Sequence, residues 1–231
     1  MSTTLGVASL PGPGHDRRVP RIQSAADRAY DAIRAAILDG THRPGSMLSE
    51  NELAAGLGMS RTPIRAALVR LQDDGCITIY PKRGALVREL SSREIADLMD
   101  ARLILETMGV QRAGSSVRRA LADRLEAELP DQRDALSRRD LDRFIGLAIS
   151  FHQSFIAASG NALLTEIGDR LADRQRLLLS AHRELLFQRV DETIEEHRAL
   201  VERLRADDSA GFAEALRTHV MGTLGSEVGP V

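Results

Sequence analysis

Cysteine occurs once in these 231 residues, as Cys76, so no disulfide can form within the chain, and the sequence fits a reducing cytoplasm. An excess of charge of one sign is also missing. The formal net charge is −2, so the whole molecule is no polycation, and any nucleic-acid surface has to be local. Long hydrophobic runs are absent as well. The opening stretch MSTTLGVASLPGPGHDRRVPRIQ has no apolar core and contains Pro11, Gly12, Pro13, Gly14 and Pro20, which excludes a signal peptide or a membrane span there. Residues 1–23 read as a disordered tail whose Arg17, Arg18 and Arg21 can graze a polyanion. No later stretch is apolar enough to cross a bilayer, and a 43% hydrophobic content suffices for one large or two modest domains.

Residues 24–90 carry the punctuation of a winged helix-turn-helix. SAADRAYDAIRAAILDG spaces Ala26, Ala29, Tyr30, Ile33, Ile37 and Leu38 as one helical face that stops at Gly40. After a turn marked by Pro44 and Gly45, Ser49 and Glu52 form a capping box, and Gly56 and Gly58 end a short helix. Only Met59 separates it from SRTPIRAALVRLQDDG, capped by Ser60 and closed by Gly75; two helices so tightly joined make a helix-turn-helix. The strand formers Cys76, Ile77, Ile79, Leu86 and Val87 flank a cationic turn, PKRG, which reads as a wing.

From Ser91 no convincing strand follows. Ser91 and Glu94 form another capping box, and helices are expected over 92–113, 116–138, 140–158, 161–180, 182–206 (with a weak point near Asp191) and 209–224. Gly114, Pro130 and residues 159–161 punctuate them. The fold class is therefore mainly α, a winged helix-turn-helix followed by an all-α bundle over 91–225.

The second helix of the pair has two faces. Ile64, Ala67, Leu68 and Leu71 share an apolar arc, whereas Arg61, Thr62, Arg65 and Val69 share another, with no acid between Glu52 and Asp73. Packing the first arc turns the second outward, where the start of such a helix meets base edges in the major groove. Arg61 or Arg65 can then offer a bidentate pair to guanine, Ser60 and Thr62 suit phosphate or base contacts, and Lys82 and Arg83 at the wing tip follow the backbone. The plainer alternative is a solvated face.

Three seams of the bundle each hold a histidine where an aliphatic residue is expected. They run Leu141, Ile145, Ala148, His152, Phe155; then Ile194, His197, Val201, Leu204; then Phe212, Leu216, His219, Thr223. A core histidine bonded to a neighbour is the usual reason for such a position, but a shared divalent metal would satisfy all three at once. Arg102 and Glu106 lie one turn apart on another inward seam. They read either as an internal salt bridge or, through the guanidinium fork of Arg102, as a seat for a ligand carboxylate.

Residues 24–88, with ILDG, PGSMLSENELA, SRTPIRAAL and RLQDDG in order, closely resemble the DNA-binding domain of the GntR family of bacterial regulators. That resemblance implies a dimer on a palindromic operator. Its contact positions match Asn51, Ser60, Arg61, Thr62 and Arg65 and the wing tip Lys82, Arg83 and Gly84; Asn51 stands where relatives often carry arginine. Residues 92–224, through ARLILETMGVQRAG, FHQSFIAASGN and EEHRALVERLRADDSAGFAEALRTHV, resemble the effector domain of the FadR subgroup, the FCD type. Many members bind a divalent metal such as zinc or nickel through one aspartate and three histidines. His152, His197 and His219 match the histidines, but Ala148 stands in place of the aspartate. The resemblance implies a cytoplasmic homodimeric regulator, by subgroup habit a repressor, that senses a small carboxylic acid and acts on operator DNA, with no membrane. The alternatives are a constitutive DNA-binding dimer with a histidine core and a three-histidine metalloenzyme. Against the enzyme, no general base stands on the seam near His152.

Overall fold

A computed structural model describes residues 23–222. The expected tail, apart from Gln23, and the end of the last seam at Thr223 lie outside the described residues.

The chain opens with α1 (Ala25–Leu38), where Ser24 and Asp27 exchange side-chain and backbone bonds and Ala29, Ile33, Ile37 and Leu38 are buried. Next come β1 (Met47–Leu48), α2 (Glu50–Leu57) and α3 (Arg61–Asp73), then β2 (Ile77–Tyr80) and β3 (Gly84–Val87). The strands form an antiparallel sheet in the order β1-β3-β2, with Met47 opposite Leu86 and Ile77 opposite Val87. Gly84 closes the wing at φ 115°, and a Cβ there would lie 2.3 Å from the Leu48 carbonyl oxygen. The arc Ile64, Ala67, Leu68 and Leu71 is buried against α1 and the sheet, as expected.

Capping differs from the sequence reading at two places. Ser49 accepts the Glu52 amide only at 3.5 Å, and Ser60 makes no side-chain capping bond. Ser91 does close a reciprocal box with Glu94.

The bundle comprises α4 (Ser92–Arg112), α5 (Ser115–Ser137), α6 (Leu141–Ala157), α7 (Ala162–Ala181), α8 (Arg183–Gln188), α9 (Val190–Arg205) and α10 (Ser209–Gly222). Pro130, expected to punctuate, lies inside α5 on its exposed side, between buried Leu129 and Gln132. The helix expected over 182–206, with its weak point near Asp191, is divided two residues earlier at Arg189, whose guanidinium reaches Glu192, Glu196 and the Gly222 carbonyl. At Gly109 a Cβ would sit 2.2 Å from the Phe155 carbonyl oxygen, so α4 and α6 cross backbone to backbone. That close crossing brings Glu106 of α4 to His152 of α6. No helix among the described residues is long and apolar enough to cross a membrane.

Candidate nucleic-acid face and histidine pocket

With its apolar arc packed, α3 presents Arg61 and Arg65 with side chains 54% and 60% exposed. Asn51, Arg61, Arg65, Lys82, Arg83 and Gly84 line one groove of about 470 Å³ between α3 and the wing. Ser60 and Thr62 are exposed at the start of α3 but are not part of that lining.

Sequence reasoning missed Glu50. The run between Glu52 and Asp73 has no acid, yet Glu50 at the start of α2 reaches across. Its Oε2 accepts Arg65 Nε at 2.8 Å and Arg61 Nη2 at 3.0 Å. Arg65, then Arg61, holds that carboxyl below the usual range. Binding Arg65 through Nε leaves its two Nη groups outside that contact.

The three histidine seams meet. His152, His197 and His219 are buried, and each offers a ring nitrogen, all within 4.8 Å of one another. The outer shell orients the rings. His152 Nδ1 lies 2.7 Å from Glu106 Oε2, His219 Nδ1 2.8 Å from Glu196 Oε2, and His197 Nδ1 2.6 Å from Gln132 Oε1. Arg102 Nε donates to the other Glu106 oxygen at 2.9 Å, and Arg189 Nη2 to Glu196 at 2.9 Å. Burial pushes both carboxyls up, with Arg102 and Arg189 opposing. Burial also holds all three imidazoles well below the usual histidine range, hence neutral. A neutral ring that donates from Nδ1 carries its lone pair on Nε2, the tautomer that suits a metal.

Phe151 stacks on His197 with centroids 4.5 Å apart. Ala148 and Arg102 line the same cavity, and the Arg102 Nη2 group has no partner among the described residues. The cavity measures about 20 Å³, enough for a water or an ion and too small for an organic acid without movement of the walls. The donor set fits zinc or nickel, three neutral nitrogens with no carboxylate in the inner set. The seam of His152 carries no general base, as expected, and the carboxylate beside the ring, Glu106, arrives from α4. Gln132 and Glu196 gave no signal in the sequence.

The FCD domain model matches residues 97–222, and the model of bacterial regulatory proteins of the gntR family matches residues 25–87. An HTH-type transcriptional regulator in an unstable DNA locus of Streptomyces ambofaciens is 30% identical over 83% of this chain and 80% of its own. The HTH-type transcriptional repressor RspR of Escherichia coli K12 is 33% identical over 64% of this chain and 60% of its own. A GntR regulator from Rhodococcus sp. RHA1 shares the fold at a TM-score of 0.74 and 22% identity, over 86% of this chain and 94% of that one. The chain belongs to the gntR family, in the form that joins a winged helix-turn-helix to an FCD domain. It is a DNA-binding transcription regulator and not an enzyme.

Proposed function

We propose that this chain is a cytoplasmic, homodimeric repressor of the FadR subgroup that releases or binds operator DNA according to the occupancy of its histidine pocket. Residues 24–90 read DNA, through Asn51, Ser60, Arg61, Thr62 and Arg65 in the major groove and Lys82, Arg83 and Gly84 along the backbone. Residues 91–225 dimerise and sense. Ile104 and Met108, one turn apart on α4 and 65% and 43% exposed, suit a second copy. His152, His197 and His219 would hold zinc or nickel, and a bound cation would supply charge to attract a small carboxylic acid.

The observation that carries this reading is the set of three neutral imidazoles with Nδ1 engaged beside an unpartnered Arg102 Nη2. Buried Arg102 offsets buried Glu106, and half-buried Arg189 offsets half-buried Glu196, so a divalent ion would remain uncompensated. An acid would bring the missing negative charge, and Arg102 would take its second oxygen. Metal analysis of the purified protein, followed by a thermal-shift screen of small acids with and without zinc, tests it. Stabilisation by an acid only when metal is present is the expected result.

A second reading, a constitutive DNA-binding dimer with a structural histidine core, is favoured by the 20 Å³ cavity. Operator affinity indifferent to metal and to every acid would support it.

A further inference from the structure

Three consecutive leucines of α7 enter three different cores. Leu177 packs in the core of the DNA-binding helices, Leu178 in the core of α4, α5, α9 and α10, and Leu179 in the core around Ile145 and Ile194. The same two turns make the polar seam with α1. Asp173 pairs with Arg34, and Ser180 Oγ donates to the Leu38 carbonyl at 2.6 Å. On the inward side, Gln175 and Leu179, one turn apart, line the histidine cavity.

We infer that α7, over residues 173–180, carries the state of the histidine pocket to the DNA-binding helices. This rests on the reading that the pocket takes a ligand. Eight residues of helix span about 12 Å and move as one rod, because its hydrogen bonds resist bending over two turns. Anything larger than a water must displace the walls of a cavity of about 20 Å³. A displacement of Gln175 and Leu179 therefore shifts Leu177, Asp173 and Ser180, which hold α1. A second connection runs through Arg88 and Glu94 at the start of α4, and it does not touch the cavity. The α7 seam is separable from it by mutation.

The test is hydrogen–deuterium exchange on the full chain, read over residues 33–40. Ala148→Val serves as a surrogate occupant, since two added methyl groups must push on the walls. The α1 amides should then exchange about fivefold faster, roughly the effect of one lost hydrogen bond. In a chain that also carries Asp173→Asn and Ser180→Ala, the seam is already open, and Ala148→Val should add no further increase in α1 exchange. If exchange in α6 changes while α1 keeps its wild-type rate, α7 is not the route. Should Ala148→Val fail to fold, Leu179→Ala trims the α7 wall instead and should also speed α1 exchange; an unchanged rate overturns the inference. Zinc titration of the wild type by calorimetry, run in parallel, reports on the metal reading alone, so the two failures are distinguishable.

Discussion

The Nε2 atoms of His152 and His219 face each other at 3.1 Å, while the Nδ1 atoms of both rings are engaged by carboxylates, those of Glu106 and Glu196. With Nδ1 donating on both rings, the two Nε2 lone pairs would point at one another, a contact that a shared cation would relieve. Ala148→Asp places an oxygen ligand one turn from His152 on the wall of the same cavity. Zinc or nickel affinity should rise on the order of tenfold or more, and metal-dependent thermal stabilisation should grow with it. Calorimetric titration of both proteins checks this. A metal-free core would instead be destabilised by the buried carboxylate, with no metal binding in either protein.

Arg102 separates two roles. Arg102→Lys keeps the charge beside Glu106 and loses the fork, so the acid response should vanish while operator binding remains. Arg102→Met leaves the fully buried Glu106 without its cation and should cost about 3–5 kcal/mol by denaturant unfolding. A full acid response in Arg102→Lys would make Arg102 structural.

On the DNA face, Arg65→Ala should lose roughly 1–3 kcal/mol per half-site and leave the fold unchanged. Glu50→Gln removes a negative charge from the DNA surface and loosens Arg61 and Arg65. Affinity for mixed-sequence duplex should rise and discrimination for the operator should fall. Selection from a random duplex pool, followed by competition binding, reads both, and parallel changes in the two affinities would count against Glu50 as a positioning residue.

Cys76 is buried and its thiol is pushed up to about 11, chiefly by burial. A thiol reagent at pH 8 should therefore modify it only as the chain unfolds. The sign for stability follows from linkage. The folded pKa lies above the unfolded one, so this contribution is complete below about pH 8.5 and is lost as pH rises through 11. Rapid labelling of the native protein at pH 8 would contradict the burial.

Local chemistry made much of this legible. The arc Ile64, Ala67, Leu68 and Leu71 fixes which way α3 faces, and the histidine seams foretell three buried rings because a 3.6-residue period places them among aliphatics. What escaped depends on tertiary approach. The two-residue strand β1 has no alternation to detect, and Glu50 reaches Arg65 only once α2 and α3 are docked. Gln132 and Glu196 orient rings from other helices, and no spacing within their own helices reveals it. Pro130 on an exposed side of α5 reads as a break because composition does not say which side faces water.

The most direct measurement is a fluorescence-anisotropy titration of the selected operator, with zinc and with or without the acid found by thermal shift. The account requires operator affinity to shift with the acid, and acid affinity to shift by the same factor when operator is present. Superimposable titrations with and without the acid, for a protein shown by calorimetry to bind both zinc and the acid, would contradict it.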